Sequence, residues 1–105
     1  MTGDERAATA AARILGVFQD ARISETADML RRAALGADPP MHITTDDRIG
    51  EADLAKLLGI APGTMANRRR EGKAPPHYTF AAAGHRVTYR LDDVAAWIEK
   101  TRKAA

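Results

Sequence analysis

A mainly α-helical fold carrying one small β-hairpin, class α+β, is predicted for this 105-residue chain. Three observations predict it. Two short helical patterns meet at Gly59 within EADLAKLLGIAPGTMANRRR, residues 51–70. Two runs with strand-type alternation, HYTFA and HRVTYRL, come next, separated by Ala82, Ala83 and Gly84, the arrangement of a hairpin. Helical periodicity also recurs before Gly36 and again after Asp92.

Taken in order, Ala7, Ala11, Ile14, Leu15 and Phe18 fall at helical spacing between Asp4 and about Asp20. A second stretch, about Ser24 to Leu35, sets Ala27, Leu30 and Ala34 on one face, with Ile23 beside them. One long helix and two shorter ones both remain open, because Gly16 weakens the first stretch and Arg22 and Glu25 interrupt a clean heptad. Gly36 suits a C-terminal cap, and Pro39-Pro40 forbid continuation. Met41 to Arg48 reads as a connector with a short extended piece at His42 to Thr44.

Helices are then predicted from about Glu51 to Leu58 and from about Pro62 to Glu71. Pro62 fits a first helical turn, where its missing N–H costs nothing. Gly72 ends that helix, and Pro75-Pro76 enforce an extended exit. In the hairpin, Tyr78 and Phe80 alternate onto one face, as do Val87, Tyr89 and Leu91 on the partner run. Arg86, Thr88 and Arg90 fall on the other face. Asp92 is expected to cap a last helix, with Asp93 favourable at its positive end, and Val94, Trp97, Ile98 and Thr101 follow at i, i+3, i+4 and i+7. The expected division is residues 1–45, a helical extension and connector, and residues 46–105, a domain with its own turn signals.

Composition narrows the function classes. Hydrophobic residues at 45% and charged residues at 29% suit a soluble globular chain, while aromatics at 5% imply a thin core built on Leu, Ile and Trp97. Cysteine is absent, so disulfides and thiolate zinc sites are excluded, in keeping with a reducing, cytoplasmic location. The start of the chain lacks a signal-peptide pattern, and no window approaches ~18 uninterrupted apolar residues, so no membrane span is expected. Residues 1–48 hold six Arg against eight acids, net −2, and residues 49–105 hold ten Lys or Arg against six acids, net +4. That asymmetry suits either a nucleic-acid module or a solvated basic face.

The segment 51–70 meets the physical demands of a tight helix-turn-helix. Ala55 supplies a small residue where two helices cross, Gly59 tolerates positive φ, and Leu54, Leu58, Ile60 and Met65 are spaced to lock the pair. Its second helix ends in Arg68, Arg69 and Arg70, and a basic helix presented this way is built to enter a DNA groove. The hairpin beside it supplies a wing.

The motifs Leu57-Leu58-Gly59, Thr64-Met65-Ala66-Asn67-Arg68-Arg69, Gly72-Lys73-Ala74-Pro75-Pro76-His77-Tyr78, Gly84-His85-Arg86-Val87-Thr88-Tyr89-Arg90 and Asp93-Val94-Ala95-Ala96-Trp97-Ile98 occur in that order. Together they resemble the winged helix-turn-helix of phage and mobile-element excisionases and AlpA-like regulators, a group related to MerR-type DNA-binding domains. The resemblance spans about residues 49 to 102. Arg68 departs from it, standing where an aromatic or apolar residue is common. Either its stem packs while the guanidinium reaches solvent, or it adds a DNA contact. Gly50 also stands where Ser or Thr usually caps the first helix.

The resemblance implies that the second helix lies in the major groove, with Thr64, Asn67 and Arg68 toward base edges and Arg69 or Arg70 as further contacts. Asn pairs with adenine and Arg with guanine, each worth roughly 1–3 kcal/mol of discrimination. Lys73 and the remaining arginine suit phosphate, and His85 with Arg86 at the hairpin tip suit the backbone or the minor groove. The plainer alternatives are a locally bonded Asn67, solvated arginines and a solvated turn.

No catalytic, cofactor or metal site is expected, since Ser24 has no His or acid at a local spacing suited to nucleophilic catalysis and His42, His77 and His85 lack companion ligands. The expected partners are double-stranded DNA, an integrase and further copies of the chain on DNA. The expected role is a non-enzymatic recombination directionality factor. A transcriptional regulator of a prophage or mobile element, a recogniser resembling a terminase small subunit, and a protein-interaction winged helix are the alternatives.

Overall fold

A computed structural model describes residues 20–80 and 86–103. Residues 20–35 are helical and form α1, as seen in the described part of the chain. Then come β1 (Arg48–Gly50), α2 (Glu51–Leu58), α3 (Pro62–Arg70), β2 (Tyr78–Phe80), β3 (Arg86–Arg90) and α4 (Leu91–Lys103). The strands form one antiparallel sheet in the order β1-β3-β2. The result is an α+β fold of the winged helix-turn-helix kind, in keeping with the predicted class. The expected helix between Asp4 and Asp20 and the turn at residues 82–84 lie outside the described residues.

Both helices of the central pair end in the same backbone device. In α2 the N–H of Gly59 bonds the Lys56 carbonyl at 3.1 Å and that of Ile60 bonds Ala55 at 2.9 Å. In α3 the N–H of Gly72 bonds Arg69 at 3.2 Å and that of Lys73 bonds Arg68 at 2.8 Å. These are Schellman motifs, and they require the left-handed residue that Gly59 (φ 73°) and Gly72 (φ 71°) supply. A Cβ at Gly59 would meet no atom within 4 Å, so Gly59→Ala is charged with backbone strain alone. The expected loss is about 1 kcal/mol, read as a lower urea midpoint with an unchanged slope. A loss several times larger would show that the turn is held by packing as well.

The core gathers one face from each element. Ala34, Ile49, Leu54, Ala55, Met65, Tyr89, Leu91 and Val94 form a single buried cluster, with Leu30, Leu58, Ile60 and Ile98 packed around it. Each Leu or Ile taken fully out of water there contributes roughly 1.5–3 kcal/mol. The described part of the N-terminal segment is docked on this core. Ala27 and Ala34 are buried, Arg31 makes a forked bond to Asp47 at 2.8 and 3.1 Å, and the Thr26 hydroxyl donates to Glu99 at 2.8 Å.

Two local expectations are corrected. Arg48, read as the end of a connector, opens a strand, Arg48–Gly50, in which Ile49 pairs with Tyr89 and Ile43 bridges Ile49; Gly50 ends that strand and is also the N-cap of α2, the cap position expected for it. The last helix begins at Leu91, whose N–H bonds the Asp47 carbonyl at 2.9 Å, so Asp92 lies inside the first turn instead of capping it. The second helix ends where expected, with Arg70 its last helical residue and Glu71 its C-cap. A further finding concerns the hairpin register. Tyr78 stands opposite Thr88, and directly paired residues share a face, so Tyr78 lies on the side of Arg86, Thr88 and Arg90, away from Tyr89. There its ring lies 5.6 Å from the Arg48 guanidinium and its hydroxyl donates to Asp93 at 3.2 Å.

Candidate nucleic-acid interface

The helix α3 is polar nearly all round and buries Met65. Such a helix is held by a few anchors and presents the rest of its surface. Met65 and Arg69, four apart, share its inner face. Thr64, Asn67, Arg68 and Arg70 are exposed. Thr64 neighbours Asn67 and Arg68 at i+3 and i+4, and Arg70 continues from Asn67 at i+3, so the four form a connected outer strip. Arg68 and Arg70 form no ion pair among the described residues, and their guanidinium groups are open to an anionic partner.

Arg69 is placed differently. Its Nε donates to Glu51 Oε2 at 2.6 Å and its Nη2 to Oε1 at 3.4 Å, and its side chain is 21% exposed against 17% for Glu51. The Tyr89 hydroxyl donates to the same Oε2 at 2.7 Å. One carboxylate at the start of α2 therefore holds the end of α3 and the strand β3. Burial pushes the Glu51 carboxyl up, but the hydrogen bonds from Arg69 and Tyr89, with His77 nearby, outweigh it and hold it below the ordinary carboxylate range. Tyr89 is shifted upward, first by burial and then by its bond to the Glu51 carboxylate. Charge-assisted bonds of this kind contribute on the order of 1.5–3 kcal/mol each.

Lys73, just past α3, is exposed and lies 3.5 Å from the Glu71 carboxylate, an exposed pair worth little that leaves the ammonium available. Arg86 opens β3 and is exposed, as is Arg90. His85 lies outside the described residues. Of the sequence-predicted set, Thr64, Asn67, Arg68 and Arg70 are thus gathered on one helix face. Lys73 follows it, Arg86 belongs to the adjoining hairpin, and Arg69 is turned inward.

Comparison with known proteins agrees with this geometry. Residues 51–102 match the family described as a helix-turn-helix domain.

This segment matches a helix-turn-helix domain of the DNA-binding kind.

The match runs from α2 through α4, and it supports sequence-specific DNA binding. No curated protein and no solved structure matches the chain. Within the helix-turn-helix domain, Glu51 and Tyr89 are the residues that reading the sequence missed. In the sequence Glu51 marks only the start of a helix, and Tyr89 is one of an alternating run with Val87 and Leu91. The usable signal was the four-residue step from Met65 to Arg69, which puts that arginine on the buried side. No helix of the described residues is long and apolar enough to cross a membrane.

Proposed function

We propose that the chain is a non-catalytic, sequence-selective architectural protein of a phage or mobile element. In this reading it binds attachment-site DNA in several adjacent copies, bends it, and so directs an integrase toward excision. The observation that carries the reading is the outer strip of α3: Thr64, Asn67, Arg68 and Arg70 are presented together and unpaired, while Met65 and Arg69 hold the helix from behind. Thr64, Asn67 and Arg68 face base edges, Arg70 and Lys73 meet phosphates, and Arg86 with His85 follows the backbone or minor groove from the wing.

The need for several copies follows from size. Among the described residues there is one reading helix, and a single module of this kind covers roughly 600–1,000 Å² of protein surface. Its affinity per copy is modest and strongly salt-dependent. Side-by-side occupancy, or an integrase as a second partner, supplies what one domain lacks.

A gel-shift titration of attachment-site DNA at ~50 mM salt tests this. The expected result is a ladder of cooperative bands, with mobility that depends on where the site lies within a fragment, the signature of a bend. A single saturating band without bending would favour the regulator reading instead. Absence of any shift at that salt would sink the DNA-binding role of the outer strip.

A further inference from the structure

We infer that Glu51, Arg69 and Tyr89 form an orienting lock that sets the angle of the reading helix against the wing, making Arg69 a positioning residue and not a DNA contact. The inference rests on the DNA-binding reading above and goes beyond it, since it assigns three side chains that touch no DNA to sequence discrimination. Glu51 lies at the first turn of α2, Arg69 at the last turn of α3, and Tyr89 on β3, the middle strand of the sheet. The carboxylate joins all three, through Nε at 2.6 Å and Nη2 at 3.4 Å from Arg69 and the hydroxyl at 2.7 Å from Tyr89.

The lock acts where apolar packing is sparse. Met65 is the side chain that α3 buries, and one flexible thioether fixes position better than it fixes rotation. A planar guanidinium held by both carboxylate oxygens restricts rotation about the helix axis. Tyr89 is fully buried at 0% exposure, so its hydroxyl passes that restriction to the strand carrying Arg86 and Arg90. Base readout tolerates little error in that angle, because bidentate pairs demand fixed geometry. Phosphate attraction tolerates much more.

Substitution at Glu51 separates this role from a charge effect by sign. Glu51→Gln removes a negative charge beside a basic helix and loosens Arg69, so electrostatics alone would tighten DNA binding. The lock requires the opposite on a specific site. The probes are a duplex enriched from a random pool by the wild-type protein and a duplex of random sequence. Glu51→Gln and Tyr89→Phe are expected to weaken binding to the enriched duplex about tenfold while binding to the random duplex changes little. Arg69→Lys, which keeps the charge and loses the fork, is expected to behave as they do. In all three the slope of log affinity against log salt stays at its wild-type value, whereas Arg70→Ala lowers it by about 0.9, as loss of one phosphate contact should.

Tyr89→Phe keeps the volume of a buried ring and so keeps the test readable should Glu51→Gln fold poorly. Enriched-site binding by Glu51→Gln and Tyr89→Phe as tight as wild type overturns the lock, as does an Arg69→Ala variant whose salt slope falls as far as that of Arg70→Ala. A wild-type protein that enriches and shifts no duplex overturns the DNA-binding reading and the lock with it. Wild-type binding with an Arg70→Ala effect isolates failure of the lock alone.

Discussion

Replacing Arg68 and Arg70 together by alanine is expected to lower affinity for duplex DNA on the order of a hundredfold or more, with far-UV circular dichroism and melting temperature unchanged. Both side chains are exposed and neither forms an ion pair or a side-chain hydrogen bond among the described residues, so their removal leaves no described polar group without its partner. Substitutions at such surface positions usually stay within about 0.5 kcal/mol of wild-type stability. Their loss falls on binding, and the single variants separate the two kinds of contact. A phosphate contact weakens every duplex alike and reduces the salt slope by about one, whereas a base contact relaxes discrimination at one position of the site. In the proposed docking Thr64, Asn67 and Arg68 face base edges and Arg70 meets phosphate, so Arg68→Ala is expected to relax specificity and Arg70→Ala to reduce the salt slope. A double variant that binds as wild type would remove α3 from the interface, whatever the fold.

What could be read from the chain divides along locality. The helix pair was legible because its boundaries are set by neighbours in sequence: Pro62 at a first turn, and Gly59 and Gly72 at left-handed positions that close two Schellman motifs. The buried stripe Ala27, Leu30 and Ala34 of α1 was legible as a periodicity, but the surface it meets was not. β1 was illegible for a related reason. Three residues carry too little pattern to announce a strand, and Arg48–Gly50 exists as one through its pairing with β3, about 40 residues on. The same limit separated Arg69 from its neighbours. Three consecutive arginines look alike in sequence, and what distinguishes the middle one is a carboxylate 18 positions earlier and a hydroxyl on β3.

The anchoring of α3 leads to the second large expected effect. Met65 is 1% exposed and belongs to the core cluster with Leu54 and Ala55. Met65→Ala is therefore expected to cost about 2–5 kcal/mol, from lost burial plus the cavity left behind. Against a total stability of about 5–15 kcal/mol for a domain of this size, that is a large fraction. The loss should not be spread evenly. A helix of nine residues, Pro62–Arg70, has no independent stability in water, and without Met65 it is tied to the domain mainly by the pair from Arg69 to Glu51. Hydrogen exchange should accelerate in the amides of α3 well before those of α4, which is held by Leu91, Val94 and Ala95 at 0% exposure. Specific DNA affinity should fall with the fraction of molecules in which α3 is docked, since only that fraction can bind. Met65→Leu, which nearly conserves volume, should cost less than about 1.5 kcal/mol and restore both exchange protection and binding. Uniform loss of protection across α3 and α4 in Met65→Ala, with binding unchanged once the folded fraction is allowed for, would show that the reading helix is held by something other than this side chain.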